Sequence, residues 1–154
     1  MTSRRLLPVL VALLALVAAG CGGGGDEVSR ADFEDLVVNT RDRVDFALSR
    51  TTKAESLDEF LNRMDEASAA IESAADDLGD VQPPEEFASP ASDLEDALRQ
   101  LSVDLSATAS DIRSGGFGDL PGVQGLNFES WDKANAALVA LAAKGIAVEQ
   151  IQRH

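Results

Sequence analysis

The chain is poor in the side chains that do most protein chemistry. Its 154 residues include one cysteine, one histidine, one tryptophan and no tyrosine. A lone cysteine cannot build a disulfide framework, and with a single histidine there is no Cys/His zinc centre. The one imidazole, His154, cannot be matched to a serine and an orienting acid, so a hydrolytic triad has no base. Basic residues are also scarce, 13 against 27 acidic, for a formal charge of −14. Phosphate backbones are bound by clustered Lys and Arg that displace counterions, and no such cluster is present, which excludes a nucleic-acid partner. The same charge disfavours docking on anionic lipid through surface electrostatics.

Carboxylates are plentiful, and Asp76-Asp77, Glu85-Glu86 and Asp93 with Asp96 stand close in sequence. A di-metal bundle site needs Glu-x-x-His pairs, and an EF-hand needs alternating acids around a central Gly; both patterns are missing. The expectation is therefore a non-enzyme with no metal and no cofactor.

What is present is concentrated first at the start of the chain. Arg4 and Arg5 form a basic head, Leu6 to Val17 an apolar run, and Ala18-Ala19-Gly20 a set of small residues before Cys21. The 14 residues from Leu6 to Ala19 rise only ~21 Å as a helix, short of the ~30 Å hydrocarbon core, so the segment reads as an export signal. Val17-Ala18-Ala19-Gly20-Cys21 resembles the lipobox of bacterial lipoproteins, with Ala18 where that family prefers Leu. The resemblance implies that the Cys21 thiol carries diacylglycerol, that residues 1–20 are cleaved as a signal peptide, and that acyl chains hold the mature protein on the extracytoplasmic face of the cell membrane. Two or more chains are needed, because at ~0.8 kcal/mol per buried methylene one chain binds only marginally. Residues 21–28, with Gly22 to Gly25, form a flexible tether. Cleavage removes two basic residues and no acidic ones, so the body becomes two charges more negative than the precursor.

Residues 29–154 carry helical periodicity throughout. Phe33, Leu36, Val37, Val44 and Leu48 define one stripe, on a helix from about 30 to 53 capped by Ser29. Ser56-Leu57-Asp58-Glu59 has capping-box spacing, and Leu57, Met64, Ile71 and Leu78 repeat every seven residues with Phe60 or Leu61, Ala67 and Ala74 between, up to Gly79. Pro84 or Pro90 opens a third helix with the seam Leu94, Leu98, Leu101, Leu105 and Ile112, ending near Arg113. A fourth, capped by Asn127, carries Trp131, Ala134, Leu138, Leu141 and Val148, with Ala136, Ala137, Ala140, Ala142 and Ala143 allowing close approach. No alternating β-branched stretch interrupts this pattern. The expected fold is all-α, a four-helix up-down-up-down bundle.

Between the third and fourth helices, residues 114–126 hold five glycines and a proline together with Phe117, Leu120, Val123 and Leu126. Those four apolar side chains either plug the bundle end or contact a partner or ligand. The functional expectation is a non-catalytic binding or interaction module of the cell envelope, with an envelope protein as partner. The alternative is a carrier that holds a small apolar ligand or lipid in a bundle cavity.

Overall fold

A computed structural model describes residues 28–115 and 128–153 of the chain. It is an all-α bundle of four helices: α1 Arg30–Thr51, α2 Leu57–Gly79, α3 Ala88–Arg113 and α4 Glu129–Ala143. A single 3-10 turn, Glu85–Phe87, precedes α3. The signal segment, Cys21 and the glycine tether lie outside the described residues, as do Phe117, Leu120, Val123 and Leu126.

Each start follows from its residues. Ser29 Oγ accepts the Asp32 N–H at 3.2 Å, capping α1. Ser56 Oγ accepts the Glu59 N–H at 3.2 Å, and the Glu59 carboxylate reaches back to the N–H of Glu55, one residue before the cap. Two expected starts differ. Pro84 leads only into the 3-10 turn, and α3 begins at Ala88 with Pro90 in its first turn, where the missing N–H has no helical partner to lose. The residue before α4 is Phe128, extended and without a side-chain cap, and Asn127 falls outside the described residues.

Alternation of direction is read from cross-helix pairs. Arg50 pairs with Glu66 and Arg43 with Asp77, so α1 and α2 are antiparallel. Asp65 pairs with Arg113 and Asp76 with Arg99, so α2 and α3 are too. Ser130 Oγ donates to Asp104 at one end of the α3–α4 pair. At the other end Arg30 holds both Glu86, just before α3, and the Lys144 carbonyl, just after α4.

The expected stripes meet inside: Phe33, Val37, Val44, Met64, Ile71, Leu94, Leu98, Leu101, Leu138 and Leu141 are all buried. Two stripe residues differ: Leu36 is half-buried, and Leu57 is exposed as the first residue of α2, where Leu61 takes the inward place. Of the alanines expected to line α4, Ala137 is buried while Ala136, Ala140, Ala142 and Ala143 face solvent, because α4 packs on α3 along the Ala134, Ala137, Leu138 and Leu141 stripe.

The larger correction concerns Val148, expected on α4. That helix stops at Ala143, and Gly145 follows at φ +95°, a left-handed conformation that suits glycine at a helix end. The backbones of α1 and α4 hardly approach each other. Residues 146–153 double back and fill that seam, with Ile146 and Ile151 buried and Val148 half-buried. The bundle is thus three tight helix pairs closed by a non-helical segment.

Candidate functional site

The bundle has two distinct ends. At the base the Val28 N–H donates to the Gln82 carbonyl at 3.1 Å, which pins the chain where it joins α1. Phe33 and Phe87 stack beside it at 5.5 Å, with the Arg30 guanidinium over the Phe87 ring at 5.3 Å. At the tip lie the α1–α2 turn, Gly115 and Phe128. The 22 residues of α1 put ~33 Å between the two ends. The expected contact loop therefore leaves and rejoins the described residues at the end farthest from Val28.

Between α1 and α2 is a cleft of about 180 Å³, floored by Ala47, Ala67 and Ala70. Arg43, Arg50 and Arg63 stand around it, and Phe46 lies at its mouth, 65% exposed. Its depth comes from sequence: three methyl side chains occupy positions where leucines would have closed the helix pair. Each arginine also has a partner: Arg43 holds Asp77 and Ser73, Arg50 holds Glu66, and Arg63 holds Glu59 and the Arg50 carbonyl. The Glu55 N–H, aided by Arg63, holds the Glu59 carboxyl below its ordinary value against the opposing effect of burial. A nearly neutral, concave patch results on a strongly acidic protein. It suits one inserted apolar side chain, with guanidinium edges to meet neighbouring carbonyls or carboxylates.

Sequence reading passed over these residues because Phe46 sits off the α1 stripe. The available signal was a phenylalanine on an otherwise polar face, between arginines seven residues apart.

The acidic pairs do not converge as ligands. Asp76 and Asp77 turn to different cations, Arg99 and Arg43, and Glu86 goes to Arg30. The Arg99 guanidinium is raised above its usual pKa by Glu95 and then Asp76, and Arg113 by Asp65, as expected of structural ion pairs. Among the described residues no group of three or more His, Cys, Asp or Glu is placed to hold a metal. Nor is any described helix long and apolar enough to cross a membrane. Compared with family models, curated proteins and solved structures, the chain matches none.

Proposed function

We propose that the protein is a lipid-anchored module of the cell envelope, held through Cys21 on the extracytoplasmic face of the membrane, that binds a protein partner and performs no chemistry of its own. The observation that carries this reading is Phe46, 65% exposed at the mouth of the alanine-floored cleft and ringed by three arginines. A phenyl ring left in water forgoes ~1.5–3 kcal/mol of burial, and among the described residues Phe46 is the most exposed of the large apolar side chains. The two-ended layout supports the same reading. A tether joining at Val28 leaves the tip, with the flanks of the 114–126 loop, directed away from the bilayer.

Cross-linking on intact cells, followed by purification from the membrane fraction, tests it with Cys21→Ala and Phe46→Ser as variants. The expected result is one envelope protein captured by the wild type and lost with Phe46→Ser, and a Cys21→Ala protein that leaves the membrane fraction. A Cys21→Ala protein that stays membrane-bound overturns the anchor. Capture unchanged by Phe46→Ser removes the cleft as the contact. Lipid or another small molecule travelling with the bundle in place of a protein replaces the module with a carrier.

A further inference from the structure

The segment that closes the α1–α4 seam is held in an unusual way. From Ala147 onward no backbone–backbone hydrogen bond ties it to a helix among the described residues; side chains do the holding. Arg30 Nη2 donates to the Lys144 and Gly145 carbonyls at 3.2 and 3.3 Å. Glu34 accepts the Ala147 N–H at 3.0 Å, Arg41 donates to the Gln150 carbonyl at 3.3 Å, and Asp45 accepts the Gln152 N–H at 2.9 Å. From α4, Asn135 makes a two-point contact, accepting the Ile151 N–H at 2.7 Å and donating to the Ile151 carbonyl at 3.2 Å.

The register is geometric. Glu34 and Asp45 are eleven helical residues apart, ~16 Å along α1, and their targets Ala147 and Gln152 are five residues apart in a segment that turns at Ala147, where the Val148 N–H donates to the Ile146 carbonyl at 2.9 Å. The segment therefore runs parallel to α1, and an acceptor of that helix answers an N–H near each of its ends. Ile146 and Ile151 fill the seam, Glu149 pairs with Arg41, and Arg153 pairs with Asp132.

Side chains that read backbone N–H and C=O groups while two apolar side chains enter pockets are the elements of peptide recognition in a groove. We infer that the α1–α4 seam is a peptide-binding site, occupied here by the chain's own segment. It accepts from a partner protein a non-helical stretch with aliphatic residues at two positions five apart, an acidic residue three after the first, and a basic residue two after the second. The resident stretch of that pattern is Ile146, Glu149, Ile151 and Arg153.

The resident segment can be displaced. Only two of its side chains are fully buried, its Arg153–Asp132 pair is solvated and so worth little, and Gly145 supplies a hinge. An open trough beside it, between Asp132, Asn135 and Ala136 of α4 and residues 149–153, leaves one flank accessible. This site lies on a different face from the α1–α2 cleft and does not depend on it.

The test uses the intact protein in detergent and a fluorescent peptide with the sequence of residues 145–153, read by anisotropy. Ile146→Asp with Ile151→Asp evicts the resident segment without altering the groove. An intramolecular competitor at an effective concentration of order mM is thereby removed, so the peptide is expected to bind the evicted protein at least about tenfold more tightly than the wild type. Adding Asn135→Ala to that protein is expected to weaken binding at least about tenfold, and a peptide with both isoleucines replaced by aspartate should not bind. No binding to an evicted protein whose helical circular dichroism is intact overturns the inference, as does binding indifferent to Asn135→Ala. If eviction melts the helices, hydrogen exchange on the wild type decides. Ala147, Ile151 and Gln152 amides exchanging through an opening that leaves α1 and α4 protected support the site; amides released only together with the helices overturn it.

Discussion

Ser68 of α2 and Ser102 of α3 meet inside the bundle, with Ser68 Oγ 2.9 Å from both the carbonyl and the hydroxyl oxygen of Ser102. Both residues are buried, so this small polar bridge joins the two helices that pack most extensively. A hydroxyl shared in this way satisfies groups that would otherwise be desolvated without partners. Ser68→Ala is expected to destabilise the protein by about 1 kcal/mol. Ser68→Ala with Ser102→Ala should cost less than the sum of the two single changes, since removing both partners leaves neither hydroxyl stranded. Urea denaturation of the four proteins in this double-mutant cycle measures both quantities.

Phe87 concentrates the stability of the base. It is fully buried, stacked on Phe33 and covered by Arg30, which also holds Glu86 and the carbonyls after α4. Phe87→Ala should cost about 3–5 kcal/mol, through lost burial and the cavity left behind. Phe87→Leu should recover more than half of that loss by the same denaturation measurement.

Gly145 is needed for its backbone. Its φ is +95°, and a Cβ added there would lie only 2.8 Å from Arg30 Nη2, so an alanine is strained and displaces the guanidinium from the carbonyls it binds. Gly145→Ala is expected to lower stability by about 1–2 kcal/mol. It should also speed hydrogen exchange at Ala147 and Ile151 more than at α2 amides.

Acid should remove the contribution of Glu59. Its carboxyl is held below the ordinary value of about 4.5, chiefly by the Glu55 N–H and then by Arg63. The folded state therefore binds this proton less tightly than the unfolded chain. The resulting stability is fully present above the unfolded value and is lost as the pH falls through the folded one. Glu59→Gln is expected to lower the Tm at pH 7 and to make little difference well below pH 4. Thermal melts of wild type and variant across that range check the sign.

Much of the fold is legible residue by residue. The stripe through Met64, Ile71 and Leu78 appears in the sequence because a helix presents every third or fourth residue to one side, whatever its neighbours are. Ser29 and Ser56 are readable as caps because the hydroxyl answers N–H groups within its own first turn. Leu57 and Phe46 were harder. Whether an apolar residue at a helix start, or off the stripe, is covered depends on which other element reaches it.

Val148 shows where local reading stops. Its spacing from Leu141 continues the α4 stripe, yet the helix ends at Ala143 and the residue lies in the returning segment. Gly145 was the local hint of that stop, and Asn135, a weak helix former amid alanines, the hint that something bonds there. Neither residue could name Ile151, because pairing across sixteen residues is decided by how far apart α1 and α4 sit.

By itself the sequence determined the number of helices, most of their buried faces and the acidic surface, since each of these is written in short-range order and composition. The tertiary structure alone decided the alanine-floored cleft beside Phe46 and the seam that reads the backbone of residues 144–152. Both are gaps between helices, and the width of a gap is a property of the packed whole.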